Sequence, residues 1–322
     1  MELRHGAKTV ELRRGWLRAK RDAALSIGNF DGLHLGHQAL LQRLDTLAKP
    51  GDLEPNFERV VLSFEPLPRE VFTPANAAPI PRLSSLREKL AVLAASRQVD
   101  VLHLLRFNRA LAGLEAEDFV RHVLCATLRV RQLVVGDDFR FGRGRRGDVA
   151  LLEQMGRALG FAVHTVAPVE VEGARVSSTR VRAALCAGAL AEAGRLLGRP
   201  YALCARVAHG DKRGRELGFP TLNLPLGRKH FALHGVYAVE VRGLEDGVLY
   251  GVANAGVRPT VGGVVPRVEA HVFDWAGDAY GKQVEVRFCA FLRAEQRFAG
   301  LDELMAQIAV DAQQARAFFG QS

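Results

Sequence analysis

The sequence predicts an α/β domain built on a mostly parallel sheet, then a small antiparallel β domain closed by a helix. The 322-residue length exceeds what one hydrophobic core usually organises. Through the first half, short apolar runs alternate with segments of helical spacing, the pattern of a sheet covered by helices. Beyond residue 200, strand-like runs follow one another closely, as in a barrel or sandwich.

Residues 24–30 form an apolar strand that runs into Gly28-Asn29-Phe30-Asp31-Gly32, and residues 38–48 follow as a helix with Leu40, Leu41, Leu44 and Leu47 at helical spacing. Strands are expected at 60–64, 100–105, 132–135 and 162–166, and helices at 84–95, 116–128 and 151–159. A helical stretch at 179–197 ends at the Gly198–Pro200 punctuation. Strands then follow at 202–209, 235–241, 248–253, 268–273 and 284–292. In the last, Val284, Val286 and Phe288 alternate with Glu285 and Arg287, the period of a half-buried antiparallel strand. Leu301, Leu304, Ile308, Ala315 and Phe318 fall on one helical stripe, behind Asp302 and Glu303 in the first turn.

With 48% hydrophobic and 25% charged residues the chain is not a disordered one. No run approaches the ~18 apolar residues of a membrane span, and the first 25 residues lack a signal-peptide core, so the expected compartment is the cytoplasm. Cys125, Cys186, Cys204 and Cys289 show no two-residue pairing and are expected as buried, reduced thiols. A net charge of +9 points to an anionic partner without choosing among nucleic acid, acidic lipid and phosphorylated ligands. Two tryptophans and four tyrosines give little support to a base-stacking platform.

The strongest local signal is Gly28-Asn29-Phe30-Asp31-Gly32-Leu33-His34-Leu35-Gly36-His37, where two imidazoles sit at a strand-to-helix junction. Backbone N–H groups and the helix dipole there favour a phosphate, and both rings have donors to offer it. Histidines that merely cap the helix account equally well for the isolated motif. Val176-Ser177-Ser178-Thr179-Arg180-Val181-Arg182 places three hydroxyls before two arginines expected on one helix face, a triphosphate clamp or an N-cap with a solvated face. Val134-Val135-Gly136-Asp137-Asp138-Phe139-Arg140-Phe141-Gly142 is a strand ending in a loop rich in backbone donors. The following Gly142-Arg143-Gly144-Arg145-Arg146-Gly147 fits a dinucleotide-binding pattern, but in a charged loop rather than a tight strand-to-helix turn, so a flexible arginine loop over a phosphate site is preferred.

Together these segments, with Ser63-Phe64-Glu65-Pro66 and Phe107-Asn108 followed by Phe119, resemble the adenylyltransferase module of the bacterial bifunctional riboflavin kinase/FAD synthetase family, over about residues 25–185. The resemblance implies a Rossmann-like nucleotidyltransferase fold. It implies that His34 and His37 grip ATP phosphates, that Gly28, Asn29, Phe30, Asp31 and Gly32 shape the nucleotide pocket, and that Ser177, Ser178, Thr179 and Arg180 close over the triphosphate. Asp138 and Phe139 fall in the flavin and phosphate loop. Leu67 stands where the family often has histidine, and Asp138 where some members have asparagine.

In the second half, Gly214-Arg215-Glu216-Leu217-Gly218-Phe219-Pro220-Thr221-Leu222-Asn223 reads as a phosphate-wrapping loop or as a glycine-rich barrel loop with Thr and Asn satisfying turn backbone. Glu269, His271 and Phe273 are expected on one strand face, where a carboxylate in a barrel interior is costly without a partner. This set, with Gly256-Val257-Arg258-Pro259-Thr260 and Tyr280-Gly281, resembles the riboflavin kinase module. That implies a six-stranded antiparallel barrel with a C-terminal helix, Gly218, Pro220, Thr221 and Asn223 around Mg²⁺-ATP, Thr221 and Asn223 on the metal, and Glu269 as general base. Arg293 is a weaker flavin-side candidate, and Leu222 replaces the family's usual alanine.

The expected partition is an FMN adenylyltransferase domain over 1–186, and a linker helix with the riboflavin kinase barrel over 187–322. The expected function is conversion of riboflavin to FMN and of FMN to FAD, with ATP as co-substrate, Mg²⁺, and no permanently bound cofactor. Riboflavin, FMN, FAD and ATP are the expected partners; a membrane is not, nucleic acid is disfavoured, and the oligomeric state is open. The alternatives are a chain with only the kinase module active, for which Leu67 and Asp138 are the relevant positions, or a basic nucleic-acid-binding protein.

Overall fold

The computed structural model describes residues 9–49, 56–74, 77, 79–209, 219–226, 230–260 and 263–321. The chain divides into two compact units, Met1–Ile80 with Lys89–Val176, and Pro81–Glu88 with Ser177–Ser322.

In the first unit, six strands form one sheet: β1 (Glu11–Arg14), β2 (Ala23–Ile27), β3 (Glu58–Glu65), β4 (Val101–Arg106), β5 (Val130–Gly136) and β6 (Ala162–Val166). Their order is β1-β4-β3-β2-β5-β6, and all five pairings are parallel. Every residue of β2 is buried, as expected of a central strand covered on both faces. The helices are α1 (Leu35–Ala48), α2 (Pro68–Phe72), α3 (Leu86–Ser96), α4 (Arg109–Ala112), α5 (Ala116–Asp118) and α6 (Val149–Leu159). Leu25, Ile27, Leu62 and Leu133 of the sheet meet Val120, Val123, Leu124 and Leu152 of the covering helices in one core, each such side chain contributing about 1.5–3 kcal/mol by leaving water. A small hairpin, β7 (Glu170–Val171) with β8 (Ala174–Arg175), completes the unit.

The second unit contains α7 (Ser178–Cys186), α8 (Leu190–Leu197), and six antiparallel strands: β9 (Ala202–Arg206), β10 (Thr221–Pro225), β11 (Gly235–Arg242), β12 (Leu249–Thr260), β13 (Gly263–Val272) and β14 (Gln283–Arg293). The order is β10-β13-β12-β11-β14-β9, and a bridge between Ala208 and Asn223 joins the two edges, so the sheet curls into a nearly closed barrel. Gly235 permits this curvature: its φ is +118°, and a Cβ there would lie 2.5 Å from the Arg293 carbonyl oxygen. The closing helix α9 (Leu301–Phe318) packs Ala315 against Val236, Ala238 and Val252 on the outside of β11 and β12.

Several expectations change. The helix expected at 116–128 is a short α turn continued as a π-helix over Phe119–Thr127, whose wider turns bury Phe119, Val120, Val123 and Leu124. The stretch at 179–197 is two helices, because Gly188 takes φ +69° between them. Thr221 to Asn223, read as loop, begin a strand, and alternation puts Leu222 inside the barrel with Thr221 and Asn223 outside. The stripe on α9 holds at its centre but not at its ends: Ala315 is buried and Leu304 and Ile308 are half-buried, Leu301 and Phe318 are exposed, and the second buried position is Asp311, a polar residue that hydrophobic periodicity cannot register. The 142–147 loop is pinned by a Phe141–Gly147 bridge and by donation from Arg143 N–H to the Leu114 carbonyl, at 2.7 Å. All four cysteines are free thiols, but Cys186 is exposed and the others only half-buried.

Asp311 receives both arms of Arg293, at 2.8 and 2.7 Å, and the Gln307 amide at 2.9 Å, which ties α9 to the end of β14. Asp311→Ala should therefore lower the stability of the barrel by about 3 kcal/mol, because it strands a largely buried guanidinium. With Trp16 replaced by Phe, urea unfolding followed by the fluorescence of Trp275 reads this loss as a fall in midpoint.

His103 is buried in β4 and hydrogen-bonds the Gly15 carbonyl at 2.7 Å through Nε2. Burial holds its pKa below the ordinary histidine value. Below about pH 6.5 the unfolded chain therefore binds a proton that the folded chain refuses, and stability falls as pH falls. In His103→Gln the acid-side loss of unfolding free energy between pH 7 and 5 should be shallower.

Candidate active sites

All strands of the first sheet point their carboxyl ends to one edge. The sequence visits β3 and β4 on one side of β2 and later β5 and β6 on the other, which makes the mouth between the ends of β2 and β5 the switch point where such sheets bind ligands. The 28–37 loop leaves β2 there, and the 136–139 turn leaves β5 beside it.

The 28–37 loop carries Phe30 and Leu33 at φ +46° and Gly32 at φ +83°, two non-glycine residues in the left-handed region within four positions. Phe30, Asp31, Leu33 and His34 are buried, while Gly28 and Asn29 are half-buried. His34 caps α1, its Nδ1 accepting the His37 N–H at 3.4 Å. That places the proton of the neutral ring on Nε2, making that nitrogen a donor. The His34 and His37 rings stack at 3.8 Å and 18°, and Phe30 packs against His37 at 4.9 Å. The capping and phosphate-binding interpretations are thus compatible: one nitrogen of His34 caps and the other is a donor.

A residue the sequence did not single out lies beneath this loop. Lys89 of α3 is only 4% exposed, and its ammonium donates to the Asn29 carbonyl at 2.7 Å and to Ser63 Oγ at 3.2 Å. Ser63 also donates to the Asn29 carbonyl, at 3.0 Å. The available signal was a lysine four residues before the fully buried Leu93, on the core-facing stripe of a helix.

At the end of β5, Asp138 pairs with Arg175 of β8 at 2.7 Å, and that guanidinium holds its carboxyl below the usual carboxylate range. Phe139 stacks on Phe141 at 5.7 Å. At the carboxyl ends of β3 and β4, Phe107 meets Phe64 and Phe72 edge-on at 5.7 and 5.8 Å, and Phe72 is 62% exposed. Asn108 has a structural role: its Oδ1 caps α4 by accepting the Leu111 N–H at 2.9 Å. Of the loop arginines, Arg140 pairs with Asp148 and Arg143 with Glu115, while Arg145 and Arg146 are exposed.

The Val176 carbonyl lies 3.8 Å from where a Cβ on Gly36 would stand, and Ser177 begins the second unit. Ser177 caps α7 by accepting the Arg180 N–H at 3.2 Å, and Ser178 and Thr179 follow in the first turn. Arg180 and Arg182 do not share a face, since positions two apart diverge on a helix. Arg180 reaches Glu192 of α8 at 3.1 Å, and Arg182 reaches the Pro81 carbonyl at 2.7 Å.

On the barrel, strand register assembles the second group. Asn223 of β10 lies opposite Glu269 of β13, which lies opposite Asn254 of β12, and Thr221 lies opposite His271. Such cross-strand neighbours have Cβ atoms about 5 Å apart on one face. This is the outer face, since Val268, Ala270 and Val272 between them are buried. Glu269 is thus not in the barrel interior, and its partner is Arg267 at 2.9 Å. Phe273, just past the end of β13, stays on this outer side: its ring packs edge-on to His271 at 5.8 Å and is buried beneath α9. His271 donates its Nδ1–H to the Pro220 carbonyl, 2.9 Å away, and packs edge-on to Phe219. Asn223 donates to the His209 carbonyl at 3.0 Å through Nδ2, leaving Oδ1 as its acceptor. Gly218 and the rest of 214–217 lie outside the described residues, as do the side chains of 257–260. Arg293 is engaged by Asp311 at the end of β14.

Sequence comparison decides the family. The profile of FAD synthetase matches residues 17–180 and that of riboflavin kinase residues 197–319. The chain belongs to the bifunctional riboflavin kinase/FMN adenylyltransferase family. It is an enzyme. A bifunctional riboflavin kinase/FMN adenylyltransferase of Escherichia coli K12 is 49% identical over 92% of each chain, and one from Haemophilus influenzae is 42% identical over 96% of this chain and 99% of that one. A crystal structure described as a macrolide-efflux protein from Streptococcus pneumoniae is similar with TM-score 0.79 and 30% identity, over 96% of this chain and 99% of that chain. No helix among the described residues is long and apolar enough to cross a membrane.

The Asp138–Arg175 pair yields a specific expectation for the enzyme. Arg175→Ala leaves an uncompensated carboxylate beside the mouth at the sheet edge and should raise the KM for ATP in FAD formation about threefold to tenfold, by like-charge repulsion. Adding Asp138→Asn should restore it, as steady-state kinetics of the single and double variants will show.

Proposed function

We propose that the enzyme makes FMN on the outer face of its barrel and FAD at the carboxyl edge of its parallel sheet, with residues 1–186 serving adenylylation and 187–322 the kinase reaction. Riboflavin is phosphorylated by ATP to FMN, and FMN is adenylylated by a second ATP to FAD with release of pyrophosphate. The single observation that supports the assignment of sites is positional: the 28–37 and 136–139 loops lie at the switch point beside β2, and Asn223, Glu269 and Asn254 form one row across three barrel strands.

In adenylyl transfer a phosphate oxygen of FMN attacks the α-phosphorus of ATP, the α–β anhydride bond breaks, and pyrophosphate leaves. No covalent enzyme intermediate is needed, only alignment and stabilisation of charge. The N-terminus of α1 and the Nε2–H of His34, with His37 stacked on it, face that charge. Gly28, Asn29, Phe30, Asp31 and Gly32 shape the nucleotide pocket. Ser177, Ser178, Thr179 and Arg180 are assigned to the triphosphate, and Asp138 and Phe139 to the flavin phosphate loop. The Phe64, Phe107 and Phe72 cluster offers an exposed aromatic surface on the same edge to a planar ring.

In the kinase reaction the ribityl 5′-hydroxyl gives its proton to Glu269 as its oxygen takes the terminal phosphoryl group, and ADP leaves. The Arg267 guanidinium orients that carboxylate. Thr221 and Asn223 present a hydroxyl and an amide oxygen, the hard neutral donors that suit Mg²⁺ carried with ATP phosphates. A Mg²⁺ ion held there would neutralise phosphate charge. Pro220 and Gly218 belong to the same ATP segment, and Arg293 acts on the flavin side only through the strand end it holds.

The two family departures in the first unit are compatible with an active adenylyltransferase. Leu67 is buried at the start of α2, and the charge of Asp138 is matched by Arg175. We place the enzyme in the cytoplasm, with riboflavin, FMN, FAD and ATP as its partners and no permanently bound cofactor.

Glu269→Gln should abolish FMN formation, at least a hundredfold in kcat, while supplied FMN is still converted to FAD. His37→Ala should do the converse and let FMN accumulate. Chromatography of riboflavin, FMN and FAD during turnover with Mg²⁺-ATP reads both. Loss of both activities in either variant would refute the partition of sites.

A further inference from the structure

We infer that Lys89, with Ser63, is a positioning residue for FMN adenylylation: a buried ammonium that sets the peptide plane on which the His34–His37 pair depends. The inference rests on the assignment of those histidines to ATP.

An ammonium this deeply buried is costly unless its hydrogens find acceptors. Here they reach Asn29 O and Ser63 Oγ. The Ser63 hydroxyl proton is directed to the same carbonyl, so Asn29 O accepts two hydrogen bonds and both of its lone pairs are occupied. The orientation of the Asn29–Phe30 peptide is thereby determined from below. The next residue, Phe30, takes φ +46°, a conformation that a bulky side chain adopts only when its surroundings impose it.

The remainder of the 28–37 loop converts that local geometry into a site. The Phe30 ring is fully buried, lies 3.1 Å from where a Cβ on Gly28 would stand, and packs on the His37 ring at 4.9 Å. His37 stacks on His34, whose Nδ1 takes the His37 N–H. If the Asn29 carbonyl loses its charged donor, the peptide gains freedom to rotate, and the error passes through Phe30 to the imidazole pair. Lys89 touches no reacting atom in this scheme. Its fixed positive charge, close behind the phosphate mouth, also needs no reorganisation when charge develops in the transition state.

A positioning role has a kinetic signature distinct from ground-state binding. Lys89→Met keeps the aliphatic volume and removes the donors. With FMN and Mg²⁺-ATP as substrates it should lower the kcat of FAD formation about 10- to 100-fold and change the KM for ATP by less than about threefold, while riboflavin phosphorylation stays within about twofold of the parent. Ser63→Ala should lower the same kcat about 3- to 10-fold. Because both residues act through one carbonyl, the double variant should be little slower than Lys89→Met alone.

Full adenylyltransferase activity in Lys89→Met would overturn the proposal. So would a rise in ATP KM at unchanged kcat, strict multiplicative loss in the double variant, or a fall in both activities in proportion to the folded fraction measured by circular dichroism. If Lys89→Met does not fold, Ser63→Ala decides: a kcat loss at constant ATP KM supports the proposal, and parental kcat refutes it. His37→Ala measured alongside separates the two levels of inference. Retained FAD formation there removes the underlying site assignment, whereas its loss with an active Lys89→Met removes only the role of Lys89.

Discussion

Main-chain hydrogen bonding between strands is the constraint on which every candidate functional side chain depends. In the parallel sheet, uniform strand direction brings the loops after β2 and β5 to one edge although more than a hundred residues separate them. In the barrel, antiparallel register sets Asn223 opposite Glu269 and Glu269 opposite Asn254. A shift of one residue in either ladder would send these polar groups into the core and the intervening Leu222, Val268 and Ala270 into water. The cores and the sites are therefore specified by the same ladders, and the barrel bridge at Ala208 and Asn223 joins closure of the sheet to a residue of the kinase segment.

Charge is organised on the same principle. The excess of basic residues looks in composition like a surface for a polyanion, yet many of the arginines have structural partners. Arg13 is held by Glu11 and Glu58, Arg129 and Arg131 by Asp22, Arg293 by Asp311, and Arg316 by Asp274 while lying over the Phe273 ring at 4.5 Å. Within the motif regions Arg175 is matched to Asp138, Arg180 to Glu192 and Arg267 to Glu269. Exposed pairs of this kind contribute little stability individually. Their role here is to fix where a carboxylate or guanidinium stands, which a phosphate-handling site requires.

The departures from the family pattern show how substitutions are absorbed by context. Leu222 lies inside the barrel, 7% exposed, so a larger apolar side chain adds to the core while its neighbours Thr221 and Asn223 keep their outward places. Leu67 is likewise apolar and buried where it begins α2, whose first turn is capped instead by Glu70 accepting the Leu67 N–H at 2.9 Å. Asp138 adds a negative charge that Arg175 answers from a separate hairpin.

Much of this was legible in the sequence. Periodicity alone located the strands around Leu25, Val61, Leu102 and Leu133 and the antiparallel run after residue 200, because alternating burial is written into residue order. The motif residues His34, His37, Thr221, Asn223 and Glu269 stood out by residue type, and their assignment to a site came from the resemblance to the family. Only the tertiary structure decided their relations. That Glu269 faces outward, that Arg180 and Arg182 diverge, that Asp311 anchors α9 beside the apolar Ala315, and that Lys89 lies under the Asn29 carbonyl all follow from contacts between residues far apart in the chain. Local propensity determines where a segment becomes helix or strand; which donors and acceptors meet is set by strand register and by the cost of burying a polar group without a partner, and those are properties of the folded whole.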